Sequence, residues 1–255
     1  VYTLENAILA NGNYSAFKIN NAEFPISIKH AMTTVALAKT LFTLTKKPEH
    51  QEGLGSAYSR LSDYLTLTGQ HEAARENAKQ ALDLTKELSE KYRGLPYYRR
   101  AHGKALASLG FALGELKQHE EAERILKQTH EIFKDLAKQE SPPGEFHFEF
   151  ARSFGDLGIM HLRLGLYDSA KALTEEQMRL FSTLPPTQRY SRTYLGKSYL
   201  DAGTVLGTKS EEFEAARKHL LQAITILESE SRLPGRYDAI NYLNVARDKL
   251  KELKK

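Results

Sequence analysis

Two residue series recur along this chain at nearly the same interval, and that regularity constrains the fold more than any single motif. Prolines stand at Pro48, Pro96, Pro143, Pro186 and Pro234, separated by 48, 47, 43 and 48 residues. Alanines near the start of apolar segments stand at Ala74, Ala122, Ala170 and Ala216, separated by 48, 48 and 46. The two series keep step, so the chain reads as copies of one supersecondary unit. One helical pattern lies between each proline and its alanine and another follows the alanine, which makes each unit a helical hairpin.

The period supports helices. Ala122, Ile125, Leu126, Thr129, Ile132, Phe133 and Leu136 fall on one stripe at about 3.6 residues per turn, as do Ala216, Leu220, Ala223, Ile224 and Leu227. Leu106, Leu109, Leu113 and Leu116 advance by threes and fours in a preceding segment. The alternating FHFEF at 146–150 could be a strand, but it leads directly into another helical pattern and is read as that helix's first turn. Gly69 and Gly165 sit between the two helices of their units, where a residue tolerant of positive φ ends a helix and lets the chain reverse. Gly94-Leu95-Pro96, Ser141-Pro142-Pro143-Gly144, Leu184-Pro185-Pro186 and Leu233-Pro234-Gly235 join one unit to the next. Proline there cannot continue the helix before it but suits the first turn of the helix after it. A lone hairpin cannot bury its apolar stripe, so successive hairpins are expected to stack as an all-α solenoid.

Composition removes several kinds of function. The 36 Lys+Arg and 32 Asp+Glu are interspersed, and the net charge of +4 describes solvated helix faces better than a nucleic-acid footprint. With no cysteine there is no disulfide, thiolate metal site or thiol nucleophile, and a reducing, cytoplasmic setting is the simplest expectation. No uncharged apolar run approaches the roughly 20 residues needed to cross a bilayer, so no membrane partner is expected. A start at Val1 rather than Met fits a piece of a longer chain. The sequon at Asn13-Tyr14-Ser15 is discounted as a chance match.

The segment ASLGFALGELKQHEEAERILKQTHEIF, residues 107–133, resembles a tetratricopeptide repeat. It has a Leu-Gly pair in the first helix, a Gly/Leu turn, an aromatic or His, an acidic pair, and an alanine opening the second helix. Leu109-Gly110 goes with Ala122, Leu157-Gly158 with Ala170, Leu61-Ser62 with Ala74 and, more loosely, Ala202-Gly203 with Ala216. Small residues at Ser62, Gly110, Gly158 and Gly203 would let paired helices cross closely, and the alanines remove bulk from the same crossing. Units of 43 to 48 residues exceed the usual 34 or so, which resembles the longer arrays of kinesin light chains and Leu-Gly-Asn-rich adaptors. The resemblance implies a right-handed superhelix with repeats over 48–95, 96–142, 143–185 and 186–231. Residues 1–47 make a degenerate opening unit with a helix from about Phe24 to Thr45, and 232–255 a C-terminal capping helix.

Catalytic readings fail on the residues. His71 and His119 occupy the repeat position of Tyr167 and Phe213, so they are packing residues, and no His-Glu-x-x-His helix is present. Gly196-Lys197-Ser198 looks like the end of a phosphate loop, but Ser191 stands where the upstream glycine belongs and no strand precedes it. Acidic pairs such as Glu120-Glu121 and Glu211-Glu212 open second helices, where they suit the helix dipole. No enzyme activity, metal or cofactor is expected.

The resemblance places the residue six before each small one on the concave groove, which makes Lys104, Arg152 and Lys197 a basic stripe, with Ser56 in the first unit. Phe111, Ile159 and Thr204 would line the groove beside them. The asparagines of the chaperone-type carboxylate clamp are not matched. Arg99 and Arg100, and again Arg189 and Arg192, flank tyrosines in first turns of first helices. These arginines either anchor a partner or pair with acidic ends of neighbouring helices. The leading expectation is a non-enzymatic scaffold that binds a peptide or segment of a partner protein, with acidic partners favoured and nucleic acid disfavoured. The alternatives are a regulatory portion of a larger enzyme or complex, such as a caspase-like protease or signalling nucleotide hydrolase, and a regulator that senses a short peptide.

Overall fold

The computed structural model describes residues 1–20, 23–185, 190–233 and 236–253. It is all-α, with no strand among the described residues, and consists of antiparallel helical hairpins stacked in sequence as in an α-solenoid. Two compact units divide it, Val1–Ile132 and Phe133–Lys255.

The first unit holds α1 (Tyr2–Asn20), α2 (Phe24–Thr45), α3 (Pro48–Leu67), α4 (His71–Lys91), α5 (Pro96–Glu115) and most of α6 (His119–Ala137). Pro48 and Pro96 begin their helices as the sequence predicts. The α2 boundaries coincide with the expected Phe24–Thr45, but residues 2–20 form a second helix before it, so the opening unit is a complete hairpin. Sequence reading missed α1 because its apolar residues fall on opposite sides of the helix and leave no single stripe to count.

The second unit holds the end of α6, then α7 (Glu145–Arg163), α8 (Tyr167–Thr183), α9 (Ser191–Leu206), α10 (Phe213–Ser231) and α11 (Tyr237–Glu252). FHFEF lies in the first turns of α7, where Phe148 packs edge-on against Phe181 of α8 and Tyr194 of α9, with ring centroids 5.4 and 4.9 Å apart. Pro186 and Pro234 lie outside the described residues.

The turn between paired helices is made the same way in three hairpins. Gly69, Lys117 and Gly165 have φ of +78°, +61° and +75°. The next residue in each case donates its N–H to a carbonyl five residues back: Gln70 to Leu65 at 2.9 Å, Gln118 to Leu113 at 3.0 Å and Leu166 to His161 at 2.8 Å. The crossings also repeat. A Cβ on Gly110 would lie 2.8 Å from Leu126 Cγ and 3.6 Å from the Ala122 carbonyl; on Gly158, 3.0 Å from Thr174 Cγ2 and 3.5 Å from the Ala170 carbonyl; on Gly203, 2.8 Å from Leu220 Cγ and 3.2 Å from the Ala216 carbonyl. Ala74, Ala122, Ala170 and Ala216 are all fully buried. Paired small residues set the approach of the two helices, and the apolar stripes close over it.

Candidate functional site

First helices of successive hairpins lie side by side, α3 on α5 in the first unit, α7 on α9 and α9 on α11 in the second, so each unit presents a face made of first helices. A small hollow of about 160 Å³ lies among Thr204, Phe213, Lys249 and Leu253 at the edge of α9 to α11. That is below the roughly 300 Å³ of a typical small-molecule pocket. Among the described residues no group of three His, Asp or Glu side chains is placed to hold a metal ion, and no helix is long and apolar enough to cross a membrane.

On the first unit's face Lys104 projects half-buried from α5, and Ser56 from α3 donates to the buried Glu52 carboxylate at 2.6 Å. Tyr97 at the start of α5 also donates to Glu52. Burial, reinforced by Glu52, raises the Tyr97 phenol well above its ordinary value, so it stays a donor. Tyr97 meets Tyr98 edge-on at 5.6 Å, and Tyr98 meets Tyr92 with tilted rings at 5.2 Å. Arg99, Arg100 and Phe111 are half-buried on the same helix. Ser56, Lys104 and the tyrosines thus share one face, with Glu52 already bound to two of its hydroxyls.

The second unit's face is organised around charge. Arg152 of α7 lies 3.3 Å from Glu149 and 3.6 Å from Asp156, one turn to either side, and Lys197 of α9 lies 2.6 Å from Asp201. Glu149, Asp156 and Asp201 are all buried. Burial raises the Asp156 and Asp201 carboxyls above their ordinary values, with Arg152 and Lys197 holding them back. Burial disfavours the Lys197 ammonium, but Asp201 and Asp156 outweigh it and raise its pKa. Tyr194 and Tyr242 complete the face, 6.1 Å apart at their ring centroids, with Lys197 5.9 Å from the Tyr242 ring. Tyr242 and burial push the Tyr194 phenol well up, and Asp238 adds to this from α11. The Asp238 carboxyl is itself raised by burial. Three buried carboxyls, Glu149, Asp156 and Asp201, thus lie against two cations in a partly dehydrated face, with Asp238 beside Tyr194.

Of the sequence-chosen residues, Lys104, Phe111, Arg152, Ile159 and Lys197 are all half-buried on first helices, and Arg152 and Lys197 meet in one cluster through Asp156. Arg192 is engaged otherwise: its Nε is 3.2 Å from the buried Glu230 at the end of α10, the neighbouring-helix pairing considered from the sequence. Arg189 lies outside the described residues. Gly196-Lys197-Ser198 sits inside α9, where its amides serve the helix. Sequence reasoning missed Glu149, Asp156, Asp201, Tyr194, Asp238 and Tyr242. The acids at three residues before and four after Arg152, and four after Lys197, are i,i+3 and i,i+4 pairs that a charge count along each helix would have exposed.

A family model for the tetratricopeptide repeat matches residues 54–91 and 102–143, the hairpins of α3–α4 and α5–α6. Among solved structures, a Rap protein complexed with competence and sporulation factor superposes with a TM-score of 0.71 at 13% identity, over 97% of this chain and 62% of that one. Aspartyl phosphate phosphatase F from Bacillus subtilis gives 0.61 at 14% identity, over 98% and 59%. A putative kinesin light chain with TPR-like repeats from Podosopora anserina gives 0.54 at 18% identity, over 89% and 97%. The chain thus spans about three-fifths of the length of the first and second of these. No curated protein sequence matches it.

Proposed function

We propose that this chain, a protein of the tetratricopeptide-repeat type, is a non-enzymatic scaffold whose first-helix faces hold an extended peptide segment of a partner protein. The observation that carries the reading is the register: Ser56, Lys104, Arg152 and Lys197 recur at one repeat position, Ser56 exposed and the three cations half-buried, on faces that also offer tyrosine and phenylalanine edges. Such faces suit an extended chain, because polar side chains at helix spacing can bond its backbone and aromatic rings cover its side chains.

The two faces favour different charges. In the first unit the cation at the repeat position is Lys104, and an acidic residue of the segment would share it with the interactions Lys104 already makes. In the second unit Arg152 and Lys197 face carboxylates that outnumber them, so that face favours a Lys or Arg of the bound segment. The Rap protein complexed with competence and sporulation factor supports a related reading, in which the segment is a free signalling peptide and the chain a regulator.

Selection of a random peptide library on the immobilised protein tests the charge assignment. Wild type should enrich peptides carrying both acidic and basic residues. Asp238→Asn, which leaves the Arg152 and Lys197 pairs intact, should reduce the basic enrichment severalfold. Lys104→Glu should reduce the acidic one. Identical peptide sets from all three proteins, each verified as helical by circular dichroism, would overturn the assignment.

A further inference from the structure

One fully buried side chain of the second unit breaks the pattern of its column. The residue seven after each second-helix alanine is Ala81, Thr129, Gln177 and Ala223, all at 1% exposure or less. Three before each small residue of the first helix stand Ser59, Ala107, Gly155 and Leu200. Where α9 brings Leu200, α10 answers with Ala223, and the two share one core cluster. Between α7 and α8 the bulk is reversed. Gln177 fills the place that a side chain on Gly155 would take, its Nε2 2.1 Å and its Cδ 2.5 Å from an ideal Cβ there. An apolar side chain would fill that place as well, and a buried carboxamide costs free energy unless it is bonded. Packing explains the size of Gln177 but not its amide.

Beside that amide lies the charged face. Two residues before the small one the column reads Arg60, Ser108, Asp156 and Asp201, so two acids stand at one repeat position on the neighbouring helices α7 and α9. Both are buried, and Asp201 adds to the upward push that burial gives Asp156. Burial raises the Asp201 carboxyl too, and Lys197 and then the Gln177 amide hold it back. No other group among the described residues bonds either polar atom of Gln177. Asp201 in turn holds the Lys197 Nζ at 2.6 Å, and otherwise faces Asp156 of α7 and the Tyr242 phenol of α11. We propose that Gln177 is a positioning residue of the second unit's face: its carboxamide, admitted by the missing side chain at Gly155, holds the Asp201 carboxylate from beneath and so fixes where the Lys197 ammonium stands for a bound segment. The proposal rests on the reading of that face as a binding surface. Gln177 is fully buried and touches no ligand; its effect passes through Asp201 to Lys197.

Carbon-13 NMR titration of the Asp201 carboxyl and the Lys197 side chain in the full chain tests the contact without any ligand. Gln177→Leu should move the Asp201 pKa further up, since a donor to the ionised carboxyl is lost, with helical content unchanged because leucine suits that interior. Gly155→Ala, which displaces the amide without removing it, should move Asp201 the same way. Thr174→Val, at a fully buried position of the same pair of helices, should leave both titrations alone. A second arm takes as its probe a peptide that wild type enriches from a random library. Gln177→Leu should bind that peptide severalfold more weakly, and Thr174→Val as well as wild type does. Asp201 and Lys197 titrating alike in wild type and Gln177→Leu would reduce Gln177 to filler and overturn the proposal. A shifted titration with unchanged peptide affinity would overturn it too, by separating Asp201 from binding. A wild type that enriches no peptide would instead sink the scaffold reading, and the titration alone would then judge whether Gln177 holds Asp201.

Discussion

Gly110→Ala in α5 probes the device on which every hairpin depends. The substitution brings two opposed effects. Removing glycine from a helix interior is worth up to about 1 kcal/mol. Against this, the new methyl carbon would lie 2.8 Å from both Cγ and Cδ2 of Leu126, where carbon contacts settle at about 3.5–4.0 Å. Leu126 is 1% exposed and wedged between α5 and α6, so relief requires moving packed neighbours, at about 1–3 kcal/mol. The net expectation is a loss of about 0–2 kcal/mol. Gly53→Ala supplies the control, since a Cβ there meets nothing within 4 Å in the interior of α3, and it should stabilise by about 0.5–1 kcal/mol. Urea unfolding followed by circular dichroism, compared at equal m-values, measures both. A cycle adds a second reading: Leu126→Ala alone should cost about 2–5 kcal/mol, and Gly110→Ala should be better tolerated in its presence because the vacated space admits the methyl. Stabilisation by Gly110→Ala equal to that of Gly53→Ala, or strictly additive free energies in the cycle, would refute close crossing as the reason for the small residue.

Lys117 holds the positive φ that glycine holds at positions 69 and 165, so Lys117→Gly should raise stability by about 1 kcal/mol in the same unfolding assay. Glu140 Oε2 accepts the N–H groups of Gly144, Phe146 and His147 at 2.9–3.0 Å and meets the His147 ring, bonding the first amides of α7 from the preceding loop. Burial works against the Glu140 carboxylate, but these bonds outweigh it and hold its pKa below 4.5. Its contribution is therefore complete above pH 4.5 and lost as pH falls through the lower folded value; Glu140→Gln should cost about 1–3 kcal/mol at pH 7 and less as acid approaches that value, read from urea midpoints across pH.

The fold was legible where one residue type carried one physical duty. Proline at the first turns of α3 and α5, glycine or its substitute at left-handed turns, and alanine under a small residue at the crossings are backbone and close-contact requirements that few other residues meet; Pro143 instead precedes α7, whose N-cap is Gly144. α1 escaped because nothing about it is periodic on a single side: Ile8 and Ser15 face inward while Tyr2, Leu9 and Phe17 face out, and a hydrophobic count around such a helix averages away.

The charge of the candidate faces was less legible, and the reason lies in what burial does to a cation. A repeat alignment selects one position per helix, here Lys104, Arg152 and Lys197, and reads their sum as basic. A half-buried ammonium or guanidinium is stable only with carboxylates near it, and a helix supplies these one turn away, as Glu149 and Asp156 do for Arg152 and Asp201 does for Lys197. The deeper a face draws its cations in, the more acid it must gather around them, so the sign of such a face follows from the neighbours at i±3 and i±4. In the second unit three buried acids stand against two cations, so the column cannot be read as basic from Arg152 and Lys197 alone.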